Sequence, residues 1–131
     1  MNRSILTYTT VDKVLHRAKL KSSDVHSDSE TATAIINECI ADAEAEIDAL
    51  TRHPDGWDES EEYYSSVQSV ATDLAASYLF QQDIAAKAVG RASEEVLIDR
   101  ASPLYNRAMQ LLSKIPGARP LYLKATEEST E

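Results

Sequence analysis

Apolar residues recur at steps of three and four along most of the chain, and each such run predicts a helix. The plainest run is Ala32, Ile35, Ile36, Cys39, Ile40, Ala43, Ile47 and Leu50, which share one helical face. Glu38, Asp42, Glu46 and Asp48 fall on the other. Ser27-Asp28-Ser29-Glu30 stands in front as a capping box. Arg52-His53-Pro54-Asp55-Gly56 ends the run, because proline fixes φ and glycine accepts the left-handed region. A helix over about 28–51 is expected.

The same reading places a shorter helix before it. Thr9-Thr10-Val11-Asp12 fits a capping pattern, and Val11, Val14, Leu15 and Ala18 follow at helical spacing to an end near Leu20. Residues 1–9 are β-prone and read as a weakly structured arm; residues 21–28 read as a polar loop. After the Pro-Asp-Gly turn, Trp57 is expected to cover the end of the core. A third helix should start between Asp58 and Glu61, where Asp58, Glu59, Glu61 and Glu62 suit the positive end of a helix dipole. Its face runs Tyr63, Val67, Val70, Leu74, Tyr78, Leu79, Ile84, Ala85, Ala88, and it should close near Val89-Gly90. Asp73 and Asp83 flank this face and have no legible partner.

Ser93-Glu94-Glu95 opens a final helical region with Val96, Leu97, Ala101, Leu104, Tyr105, Ala108, Leu111, Leu112 and Ile115 inward. At Pro103 either the helix kinks or Ser102 caps a second segment with Pro103 at its first position, and a break near 100–102 is expected in preference to a straight helix. Pro116-Gly117 stops it. The expected architecture is all-α: a helical bundle of four to five helices over 10–116, an N-terminal arm (1–9) and an extended C-terminal tail (117–131).

Composition agrees. The 131 residues suit one domain, and 43% hydrophobic with 27% charged residues is ordinary globular usage. A lone cysteine closes no internal disulfide. Met1-Asn2-Arg3-Ser4-Ile5-Leu6 lacks the pattern of a signal peptide, and no apolar run reaches the length of a membrane span, so action inside a cell, or in a particle assembled there, is expected.

Charge changes the picture more. The net charge of −9 disfavours general affinity for nucleic acid or anionic membranes. It suits a salt-rich cytoplasm, where screening removes self-repulsion, so a halophilic source is one expectation. The charge is also uneven. Arg3, Lys13, Arg17, Lys19 and Lys21 face only Asp12 within residues 1–21, a net of +4 that leaves −13 for the remainder. That excess is either a chance cluster on an exposed helix face or a handle for an acidic neighbour, including the acidic body of another copy. Arg100, Arg107 and Arg119 are further candidates to meet a neighbour's acids.

No residue is nominated as catalytic, as a metal ligand or as a cofactor contact. His16, His26 and His53 lack zinc-site spacing, and Cys39 lies within the apolar stripe, where packing is its expected role. No nucleophile elbow, Walker loop or dinucleotide fingerprint occurs. The pairs Glu38/Asp42 and Asp42/Glu46 read as a solvated face, since no Glu-x-x-His accompanies them. Beyond the last helix, Arg119-Pro120-Leu121-Tyr122-Leu123-Lys124 is a sticky extended segment that either folds back on its own bundle or docks on a partner.

In order and spacing these pieces resemble the small helical head–tail connector (adaptor) proteins of tailed phages and viruses. Tyr8-Thr9-Thr10-Val11-Asp12 looks like that family's opening, Ala43-Glu44-x-x-Ile47-Asp48 like the end of its second helix, and Leu74-Ala75-x-x-Tyr78-Leu79 like its long third helix. Ala108-x-x-Leu111-Leu112-x-x-Ile115-Pro116-Gly117 looks like its closing helix, and the likeness spans about 8–116. The resemblance implies a virion protein forming a ring, usually of twelve copies, beneath the portal. Such a ring extends the DNA channel without specific DNA binding and meets the next neck component, a stopper or tail terminator. It would assemble in the host cytoplasm. Arg119 to Lys124 would be the tail that docks on the portal, and no cofactor is implied. The acidity departs from the family and fits a virus of a salt-loving host. Two other readings stay open: a cytoplasmic helical regulator or adaptor that binds one protein partner, and a small enzyme with an unrecognised carboxylate site.

Overall fold

A computed structural model describes residues 7–81 and 94–118, with the backbone alone over 94–100. Among these residues the chain is all helix and turn, with five helices and no strand. They are α1 (Val11–Ala18), α2 (Ser22–Val25), α3 (Ser29–Leu50), α4 (Tyr64–Phe80) and α5 (Glu94–Leu112). None is long and apolar enough to cross a membrane.

The helix starts follow from capping chemistry. Thr10 caps α1 by accepting the Lys13 amide, and Asp28 caps α3 by accepting the Thr31 amide at 2.9 Å. The α3 cap is thus Asp28 with Thr31, one residue beyond the expected Ser27 box. Asp28 also takes the Thr31 hydroxyl at 2.6 Å, and these bonds hold its carboxyl below its usual range. The α3 stripe packs as expected: Ala32, Ile36, Cys39, Ile40, Ala43 and Ile47 are buried, and Ile35 and Leu50 lean against them. The polar loop at 21–28 carries more than expected, because its single helical turn drives Val25 into the core.

Helix α4 starts later than the acidic run suggested. Asp58 accepts both the amide and the hydroxyl of Ser60, and Glu61 accepts the Asp58 amide at 2.8 Å. These local bonds commit the segment to turns, so the first helical residue is Tyr64. The helix closes at Phe80; its expected extension to Gly90, with Ile84, Ala85, Ala88 and Asp83, lies outside the described residues.

α4 is the centre of the bundle. It packs against α5, α3 and α1, and 11 of its 17 residues are buried. Val67, Val70, Leu74 and Leu79 each contribute roughly 1.5–3 kcal/mol by leaving water. Pro103 does not break α5: the helix runs through it, with Ala101, Ala108, Met109 and Leu112 all buried. Proline inside a helix costs about 3 kcal/mol, and burial of this face offsets it. Pro103 itself is exposed, and the Ser77 hydroxyl donates to the Ala101 carbonyl at 3.0 Å, tying α4 to the turn before the proline. Gly117, at φ +86°, turns the chain after Ile115 inserts into the core.

The arm is not loose where it meets the body. Tyr8 and Thr9 are as buried as the core. Trp57 covers the core's end, as expected, with its indole stacked on His53 at 3.8 Å and donating to the Thr51 hydroxyl at 2.9 Å.

Cys39 packs as a hydrophobe. Burial, reinforced by the charges of Asp42 and Glu38, pushes its thiol up to about 11, so the reactive thiolate is scarce at neutral pH. The expected result is negligible labelling of the native chain by iodoacetamide at pH 8, and one labelled thiol per chain in denaturant. Rapid native labelling would mean that α3 opens readily.

Candidate functional site

A helix buried nearly all round has no wet face on which to place a charge. Asp73 sits in the middle of α4 and is fully buried, and such a carboxylate persists only with cations on it. Two helices supply them. Arg107 of α5 grips the carboxylate with two bonds, Nε to Oδ2 at 3.0 Å and Nη2 to Oδ1 at 2.8 Å. Arg17, in the last turn of α1, places Nη1 on Oδ1. The bonds from Asp73 hold the Arg107 guanidinium even more firmly in its charged form.

Both guanidiniums remain partly exposed, at 32% for Arg17 and 53% for Arg107. Their outer edges line a groove of about 430 Å³ between α1, α4 and α5, where Lys19 adds a third cation and Phe80, Pro103 and Leu104 form an apolar floor. Lys19 reaches the rim because its backbone is left-handed (φ 60°), closing α1 with bonds to the carbonyls of His16 and Leu15. Three cations against one buried acid leave this groove net positive in a chain of −9.

A second groove, of about 570 Å³, carries the opposite sign. Asp42, Ala45 and Glu46 of α3 face Tyr78 and Gln81 across it. Burial, then the charge of Glu46, keeps the Tyr78 phenol protonated far into base, and the same two causes raise Tyr105. Tyr78 and Phe80 stand two residues apart, hence about 160° apart around α4. Tyr105 and Arg107 repeat that separation on α5. The acidic and basic grooves therefore lie on opposite sides of one packed helix pair.

A third cluster fastens the arm. The Tyr8 hydroxyl donates to Asp48 at 2.6 Å and accepts the Trp57 amide at 2.6 Å, while the Tyr8 amide donates to Glu44. Thr9 and Thr72 share a hydrogen bond at 2.7 Å. Asp48 was expected on the solvated face with Glu38, Asp42 and Glu46; it is buried instead, because Tyr8 brings a polar partner onto that part of α3.

Of the nominated inter-subunit cations, Arg17 and Arg107 are engaged within the chain on Asp73 and Lys19 joins them at the groove, whereas Lys13 and Lys21 are exposed away from it. Arg3, the Arg100 side chain, and Arg119, Pro120, Leu121, Tyr122, Leu123 and Lys124 lie outside the described residues. Sequence reasoning missed the Phe80 floor and the buried pair Glu44 and Asp48. Among the described residues no three His, Cys, Asp or Glu side chains gather as a metal site. No protein-family model matches the chain, and no curated protein or solved structure matches it.

Proposed function

We propose that this chain is a structural head–tail connector of a tailed virus, an adaptor whose copies form a ring beneath the portal and carry the DNA channel toward the neck. One observation carries the reading: a cationic and an acidic groove on opposite sides of the α4–α5 pair. A closed ring needs two different and complementary surfaces on each subunit, and an isologous dimer does not. The ordered helical likeness to the connector family adds the viral context. In this reading Arg119 to Lys124 dock on the portal, a stopper or terminator binds below, and DNA passes an acidic body without specific contact.

Native mass measurement of the full chain, alone and with its portal, tests this. The expected result is a closed multimer that binds the portal, and a chain lacking 119–131 that assembles but no longer docks. A strictly monomeric chain, or a stable one-to-one complex with a non-viral partner, would overturn it and favour a helical regulator.

A further inference from the structure

We infer that consecutive copies of this chain mate groove to groove, with Arg17, Lys19 and Arg107 of one copy receiving Asp42 and Glu46 of the next. The inference rests on the connector reading for the statement that copies assemble, and adds which surfaces meet.

Three observations select this occupant. First, the basic groove has an apolar floor, where Pro103 is exposed and Leu104 half-buried while Phe80 is covered by the bundle. A phosphate backbone would leave that floor uncovered, whereas a protein surface carrying acids beside apolar groups covers floor and rim together. Second, the chain carries such a surface: Asp42 and Glu46 stand beside the Tyr78 ring and Ala45 in a groove of comparable size. Third, that surface cannot reach the basic groove of its own chain, because the packed α4–α5 pair separates them. A second copy can present it.

The charges also fix the kind of symmetry. A two-fold axis through the basic groove would set Arg17, Lys19 and Arg107 against themselves, which like-charge repulsion disfavours. A head-to-tail arrangement pairs opposite signs at every contact and leaves each copy one free groove for the next. Asp73 acts here as a positioning residue. It fixes Arg107 through two bonds and Arg17 through a third, so the rim cations are aligned before a partner arrives.

Crosslinking tests the pairing in the full-length chain. Lys19 and Asp42 are exposed, whereas Cys39 is buried and should stay unlabelled in the native chain. With a short bismaleimide, an equimolar mixture of Lys19→Cys and Asp42→Cys chains is expected to give a crosslinked dimer, each variant alone none, and the double variant a ladder. Lys19→Glu should weaken assembly about tenfold, and Asp42→Lys in the same chain should restore it. Should the wild type form a closed multimer while the mixture stays uncrosslinked, the pairing is wrong and the connector reading stands. Self-crosslinking of Lys19→Cys alone would show a two-fold contact and overturn the pairing in the same way. A wild-type chain that stays monomeric removes both.

Discussion

Replacing Arg17 and Arg107 together by alanine should destabilise the fold by about 3 kcal/mol, the low end of what an orphaned buried charge costs. Asp73 is fully enclosed by α4's neighbours, and these two guanidiniums are the cations bonded to its carboxylate. The low end applies because the arginines are partly exposed, so water can follow into the space they leave. Asp73→Asn should cost less, about 1–2 kcal/mol, although it disrupts the same cluster. That variant removes the buried charge and leaves arginines that hydrate where they stand. The difference separates two accounts of the cluster. If mutual attraction dominates, the two substitutions cost alike; if exclusion of the anion from water dominates, removing the cations is worse.

Urea midpoints of the two variants against the wild type at one pH check both statements. Adding Asp73→Asn to the double variant should recover part of its loss, since it removes the orphaned charge. A loss left unchanged by that addition would place its origin elsewhere, in lost packing of the arginine stems for example.

How legible this arrangement was depends on the range of each interaction. Helix α3 is readable because cap and stripe are both local: Asp28 finds its donor three residues on, and the apolar positions repeat at the helical period. The end at Gly117 is readable for the same reason. Helix α5 is not, since the outcome at Pro103 turns on burial against α4, which the local sequence does not contain. The start of α4 failed at intermediate range: the acids of 58–62 suit a helix dipole, but Asp58 and Glu61 bond to backbone amides in turns first. Asp73 marks the limit most clearly. An acid amid Val70, Ala71, Leu74 and Ala75 is visible as an anomaly, yet its partners stand 56 and 34 positions away. Read locally, Arg17 and Arg107 belong to solvated faces; the tertiary fold turns them onto α4.

The arm's anchor yields the second large effect. Tyr8→Ala should cost about 3–5 kcal/mol, the range for deleting a buried aromatic ring, because the ring is 2% exposed and packs edge-on against Tyr64 at 5.9 Å. Tyr8→Phe keeps the ring and should still cost about 1–3 kcal/mol. The single hydroxyl donates to buried Asp48 and accepts the Trp57 amide, so its loss withdraws a partner from both. The two variants differ in what moves. The phenylalanine variant should keep the helices and loosen the 52–58 turn, where Trp57 stacks on His53 and Glu61 meets His53 at 3.1 Å. Trp57 fluorescence should therefore shift red before the far-ultraviolet helix signal falls during denaturation of Tyr8→Phe, while the two coincide in the wild type. Coincident transitions at an unchanged midpoint would show that the hydroxyl carries no weight and that the ring alone holds the arm. A lowered midpoint with early tryptophan exposure would tie residue 8 to a turn 49 positions away through one oxygen atom.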